Sequence, residues 1–454
     1  MRKWIWLGLM LGWAQDTVGI DPRRRLSAYD LERKREKWVF LSYPTAGYDP
    51  LRGVGAALVL SISYNGKRSD PTFAYTPYKY YLFIQGGGFF RDSRYLRVFY
   101  DTPWIGNRPY RLTLRFTYRD ESQGQFWGVG ERYFMERLPV YPLSSYEKFL
   151  KSPRLSQAGT WETSLAQHSF YISQWQGWII GERIAERGLV RLMGGARWTA
   201  EKLLSLSARQ YTLLTPDGRK VSAQQTPTLI DSAAQRLIPL PSNLSILLGR
   251  REQRVFLGGA IVLDTRDFEV SPTKGWLIEL NHESCIPSLS AHRTTLNLRS
   301  YHIYYRSPSE KFLLSGALNV LMTAMYGRAL PLTELQVYPR WADGRLPNLL
   351  SGPSTVRAFR ENRFLSPTAY ILQYELRSRV AEARILQQHF VGGPVAFLDI
   401  GAGRDKIRPP SLRYLASGVG IGVRILWNMT MVLRADAAYG REGWQLHFTT
   451  VHPF

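Results

Sequence analysis

SGPSTVRAFRENRFLSPTAYILQYELRSRV (351–380) opens the C-terminal quarter of the chain and decides how the rest is read. From Thr368 onward, Tyr370, Leu372, Tyr374, Leu376 and Val380 fall on one face, with Gln373, Glu375, Arg377 and Arg379 on the other. A strand repeats its side-chain direction every second residue, so the run has one apolar wall and one wet wall. Two later runs repeat the pattern. Val419, Ile421, Val423, Ile425 and Trp427 oppose Gly418, Gly420, Gly422 and Arg424; Met429, Met431, Leu433, Ala435 and Tyr439 oppose Thr430, Arg434 and Asp436. A soluble sandwich turns such apolar walls inward, whereas a transmembrane barrel turns them to lipid around a polar lumen. Periodicity alone fits both.

The rest of the chain separates them. Tyr110, Leu112, Leu114, Phe116 and Tyr118 alternate with Arg111, Thr113, Arg115, Thr117 and Arg119. Three arginines on one wall are costly in a dry core and comfortable in a watery bore. The start, MRKWIWLGLMLGWAQD, has two basic residues, an apolar stretch from Trp4 to Trp13 and small Ala14, the pattern of a secretory signal peptide over residues 1–15. No later run approaches the ~18 consecutive apolar residues of a membrane helix.

Residues 16–37 read as a polar linker or short periplasmic helix, and strand signals begin at Trp38. About sixteen strands follow, as expected of an antiparallel transmembrane β-barrel over residues 38–454 with long loops outside and short turns in the periplasm. The segment Trp198–Arg254 is too mixed to assign and reads as a large external loop with some helix. The first strand is expected to stop at Pro44 and the last to be interrupted at Pro453, because proline lacks a ladder donor.

The net charge of +23 is spread along the chain rather than clustered. In an exported protein this points to anionic lipid head groups or balancing acids in the lumen, and away from nucleic acid. The single cysteine, Cys285, cannot form an internal disulfide. The chain contains no GxSxG, CxxC, HExxH or phosphate-loop pattern. His282 and Ser284 share a strand face, but polar strand residues explain them more simply than catalysis does. Neither enzyme activity nor a cofactor or metal is expected.

Several separated pieces carry a resemblance. STVRAFRENRF (354–364), YELRSRV (374–380), FLDIG (397–401), LDTRD with PTKGW, GVGIGVRI, LRADAAYG and the terminal HFTTVHPF resemble, in order and spacing, the barrel of the BamA/TamA-type bacterial surface antigen family of outer-membrane assembly proteins. The likeness is clearest from about Phe256 onward. It implies that the long loop before Thr368 folds back into the lumen, where Arg357 reaches Asp399 with Glu375 as second acceptor. Phe397 or Phe359 would lie beside the guanidinium, and Gly401 on the same wall. It implies too that Phe448 and Phe454 form a C-terminal recognition signal. The family's glycine in the Arg-Gly-Phe motif is Ala358 here. The family's periplasmic POTRA modules have no room before Trp38, so a separate periplasmic partner is expected to supply their role. The implied activity is insertion or translocation of proteins or lipids, through a weakly paired seam between first and last strands and without covalent chemistry. The alternatives are a passive, anion-favouring pore and a cell-surface interaction barrel.

Overall fold

The computed structural model describes residues 19–49, 53–89, 93–134, 168–205, 212–214, 220–222, 228–238, 240–286, 290–450 and 452–454. Residues 1–15, expected from the sequence to be a signal peptide, lie outside them. Among the described residues sixteen strands form one antiparallel meander: β1 (Trp38–Asp49), β2 (Gly53–Tyr64), β3 (Tyr80–Phe89), β4 (Ser93–Thr102), β5 (Tyr110–Gln125), β6 (Ser169–Ala185), β7 (Val190–Ser205), β8 (Arg251–Asp264), β9 (Gly275–Ile286), β10 (Ala291–Arg306), β11 (Leu313–Gly327), β12 (Thr368–Arg379), β13 (Gln388–Arg404), β14 (Leu415–Trp427), β15 (Met431–Gly440) and β16 (Gly443–Thr449). Ala381–Ile385 continues β12 beyond Val380, and both pieces ladder with β13. Each strand pairs with its neighbours in sequence, from β1–β2 to β15–β16.

Side-chain direction follows the sequence pattern. On β14, Val419, Ile421 and Val423 are exposed while Gly418 and Arg424 are buried. On β9, Trp276 and Leu280 face outward, and Glu279, Asn281 and Glu283 are buried inward. The apolar wall is therefore the outer one, and the charged wall lines the bore of a transmembrane barrel. The inward arginines are matched by acids. Arg197 reaches Glu283 and Glu334 at 2.7 and 2.8 Å, and Arg191 reaches Glu182 at 2.7 Å. Such pairing is what makes buried charge tolerable.

Two strand ends differ from expectation. β1 does not stop at Pro44: it continues to Asp49, with Pro44 opposite Leu58. Among the described residues β1 ladders with β2 alone, so its other side needs no donor there and proline is tolerated. The last strand ends at Thr449, and the chain then turns into the bore. Phe454 is buried against Tyr301 and Ala317, and the Pro453 carbonyl accepts from Arg340 at 2.6 Å. The seam between β1 and β15–β16 carries no backbone ladder among the described residues. It is bridged by side chains, with Val39, Leu41 and Met431 in one apolar cluster.

The ends of the unassigned 198–254 segment are strands, completing β7 and opening β8. Between them a short helix, Leu229–Ala234, is started by a capping box of Thr228 and Asp231. Its Ile230 and Ala233 pack with Phe126, Phe170, Leu332 and Leu335 in an apolar cluster.

The polar segment after residue 18 is a strap. Ser27 caps the helix Ala28–Arg33, accepting the Asp30 N–H at 3.1 Å. Around it, the Asp21 N–H donates to the Arg187 carbonyl at 2.8 Å, and Arg24 pairs with Glu269 at 3.3 Å. Leu26 packs with Phe268, Leu426, Met429 and Val432. Arg33 holds both Glu382 oxygens at 2.8 Å, and the Lys34 ammonium donates to the Phe73 and Thr76 carbonyls. These partners belong to the connections after β2, β6, β8, β12 and β14. In an antiparallel meander the connections after even-numbered strands all lie at one end, so the strap crosses a single mouth of the barrel.

Candidate functional site: a loop pinned inside the bore

The connection between β11 and β12 runs from residue 328 to 367 and turns into the lumen. Its first half is held by backbone groups: the Trp341 and Ala342 N–H groups donate to Glu279 of β9 at 2.8 and 3.2 Å. The Trp341 ring is buried edge-on to Trp178, with centroids 5.4 Å apart.

Its second half carries Arg357, which is fully buried. Nε and Nη2 donate to the two oxygens of Asp399 on β13 at 2.7 and 2.8 Å, and the Arg357 backbone N–H adds a third bond to Asp399 at 3.1 Å. Nη1 donates to Glu375 of β12 at 2.6 Å and to Asp436 of β15 at 3.2 Å. The guanidinium carbon sits 3.5 Å from the centroid of the Phe397 ring. A planar, always-charged fork suits this carboxylate geometry, and the ring adds a cation–π face. Phe359 is not the stacking partner. It packs instead on Phe364, with ring centroids 4.8 Å apart.

The acids are shared further. Glu375 also accepts from Arg377 at 2.7 Å and Arg424 at 2.5 Å, and Arg424 reaches Asp436 at 2.5 Å. Gln373 links Asp399 to the loop, donating to the Thr355 carbonyl at 2.8 Å. His447 of β16 meets the Arg357 carbonyl at 2.7 Å. The network thus ties β12, β13, β15 and β16 to one loop residue. Asp436, Arg424, Gln373 and His447 were not picked out from the sequence as members. The signal was present for Asp436, which stands on the wet wall of β15 opposite Gly422 in register.

Close approach depends on missing side chains. A Cβ on Gly401 would lie 2.6 Å from Val356, and one on Gly418 would lie 2.1 Å from the Ala358 methyl. Ala358 itself is buried and absent from the positive-φ residues, so the glycine expected of the family is not required by backbone conformation here.

The terminal aromatics separate. Phe448 points outward at 78% exposure, whereas Phe454 is 3% exposed inside the bore, 5.3 Å from the Arg377 guanidinium. His282 and Ser284 lie on the outer wall, 3.1 Å apart, with Ser284 also meeting His292 at 2.8 Å. Glu283 points the opposite way, to Arg197.

A sixteen-stranded antiparallel barrel with an apolar exterior, a charged bore and a long loop pinned within it defines an outer-membrane barrel protein. The chain belongs to the Omp85 superfamily, whose domain model matches residues 52–448. A domain of unknown function, DUF5982, matches residues 16–79, which span the strap, β1, β2 and the connection to β3. Among solved structures, BamA from Haemophilus ducreyi lacking POTRA domains 1–3 aligns at 12% identity and TM-score 0.47, covering 92% of this chain and 70% of that one. CdiB from Acinetobacter baumannii aligns at 12% identity and TM-score 0.43, covering 96% and 72%. CdiB from Escherichia coli aligns at 10% identity and TM-score 0.44, covering 90% and 60%. No curated protein matches the chain.

Proposed function

We propose that this barrel assists insertion or translocation of proteins at the outer membrane, without covalent chemistry, by parting its sheet between β1 and β16. The observation that carries the reading is the seam. β16 spans seven residues against seventeen in β13, and each edge strand has one ladder partner among the described residues. Unladdered edges are templates for another strand. Among the described residues side chains bridge the gap, including a 3.4 Å contact from the Tyr43 hydroxyl to the Met431 sulfur.

Arg357 acts here as the lock that keeps the loop in place while the seam opens, with Glu375, Phe397, Asp399 and Gly401 as its seat. A pinned loop and a strap across one mouth suit an insertase better than a steadily open, anion-favouring pore. The strap end is periplasmic in this reading, and a signal peptide over residues 1–15 directs export. The partners are outer-membrane lipids, client outer-membrane proteins and a separate periplasmic protein. Phe448, on the outer wall, is the terminal aromatic placed for recognition during assembly; Phe454 leaves that role once it enters the bore.

The test joins Leu41→Cys to Met431→Cys in a Cys285→Ser background and follows insertion of a client barrel into vesicles. Activity should vanish on oxidation and return on reduction. Full activity of the locked barrel would overturn the seam account.

A further inference from the structure

Within the bore lies a cavity of about 1630 Å³. Three of its arginines differ from the rest. Arg97 on β4 and Arg115 on β5 are diagonal neighbours, because Arg97 pairs with Thr117 and Phe99 with Arg115. Diagonal positions on one sheet face are within reach for long side chains. Arg345 arrives from the inner loop. Its approach is set by Gly344 at φ 59°, where a Cβ would lie 2.6 Å from Thr113. The charges of Arg97 and Arg345 both act on Arg115.

Other arginines lining the cavity are matched by carboxylates, Arg111 by Asp101, Arg299 and Arg340 by Asp343, and Arg434 by Asp436. Arg97, Arg115 and Arg345 form no ion pair among the described residues. Arg97 touches Gln85 at 3.5 Å, and Arg115 touches Thr117 and the Gly344 carbonyl at 3.5 Å. The neighbouring acids are already engaged. Asp101 accepts from Tyr78 at 2.9 Å, from Arg111 at 2.8 and 2.7 Å, and from Thr113 at 2.7 Å. Asp343 lies in the field of Arg345, yet its Oδ2 takes Arg299 at 2.9 Å and Arg340 as well. Gathering three like charges with no carboxylate in ion-pair contact is unfavourable even in a wet bore.

We propose that Arg97, Arg115 and Arg345 form a binding site for a phosphate-bearing ligand inside the barrel. One carboxylate is matched by one guanidinium fork, as Arg357 and Asp399 illustrate. Three forks around one cavity match a group with more oxygens and close to two negative charges. Tyr95 and Phe99 line the same cavity and give an apolar flank to whatever carries the phosphate. The site stands independently of the insertase reading, since it needs neither the seam nor a client.

The experiment titrates pyrophosphate into the purified full chain by calorimetry at low ionic strength. Wild type should bind, and Arg97→Gln/Arg115→Gln should bind about tenfold more weakly or worse, each tenfold being one decade of Kd. Heat-shifted electrophoretic mobility checks that the variant is folded. If the double variant fails to fold, Arg97→Gln alone serves, because Arg97 is exposed to the cavity and makes no ion pair. A second arm adds vesicles of phosphatidylcholine with or without phosphatidic acid. Competition by phosphatidic acid vesicles alone assigns the site to a lipid head group, and its absence assigns it to a free phosphate compound. No binding by wild type, or equal binding by wild type and a folded variant, would overturn the proposal.

Discussion

Arg357 is the residue on which the interior arrangement turns. Its guanidinium answers three carboxylates on three strands, with contacts from 2.6 to 3.2 Å. Removing it leaves those acids facing one another in a buried place, a change that typically costs about 3–5 kcal/mol. Arg357→Ala should therefore lower the thermal unfolding temperature and expose residues 328–367 to protease. Arg357→Lys, which keeps the charge but loses the fork, should fall between. Unchanged melting and protection in both variants would mean that the loop is held by its other contacts. Lys34, in the strap, is a second sensitive residue. Burial pushes its ammonium down to about 7, despite its two carbonyl acceptors. Below that value the docked and free straps both carry the proton, and the burial penalty is felt in full. As pH climbs from about 7 toward the ordinary lysine value, only the docked form loses its proton, so docking strengthens. A fluorophore at Glu32→Cys should gain anisotropy between about pH 6 and about pH 9, and the gain should disappear in Lys34→Met. An identical rise in both proteins would point to a different titrating group.

Between elements, loop and wall fit because the wall gives up side chains. Gly418 and Gly440 both face the Ala358 methyl, at 2.1 and 2.7 Å from where a Cβ would be. Gly418→Val should force the loop from its seat, read as faster proteolysis between residues 328 and 367, while Ala358→Gly should be tolerated. Normal protection in Gly418→Val would contradict this packing. The same elements separate what was legible in the sequence from what was not. Alternation on β5, β12, β14 and β15 gave the two walls directly, because a strand's period is fixed by covalent geometry. The end of β1 was misplaced because proline is excluded only where a donor is needed, and the edge position of β1 depends on closure across the whole chain. The inward turn after Thr449 was hidden for a similar reason: Phe454 is held by Tyr301, Ala317 and Arg340, all remote in sequence. Of the loop's acidic partners, Asp399 and Glu375 stood in recognisable motifs, whereas Asp436 could be placed only by aligning four strands in register. The strap looked like a charged linker because its hold is made of single contacts to five separate turns rather than of a periodic face.

For the whole molecule, the arrangement of walls accounts for an otherwise odd composition. A net charge of +23 is compatible with a folded barrel because the inward arginines are largely paired and the lipid-facing wall carries leucine, isoleucine and valine. The inversion of wet and apolar faces is the claim on which location, seam and pinned loop all rest, and two positions of opposite parity on one strand test it. Leu114 and Thr117 of β5 lie on opposite faces, Leu114 outward and exposed and Thr117 lining the cavity. Nitroxide labels at Leu114→Cys and Thr117→Cys, each in a Cys285→Ser background and in lipid vesicles, can be probed by collision with oxygen and with a polar nickel complex. The barrel predicts that the label at 114 meets oxygen and excludes nickel, and that the label at 117 meets nickel. A label at 114 shielded from both, as in the dry core of a sandwich, or one open to nickel, would contradict it.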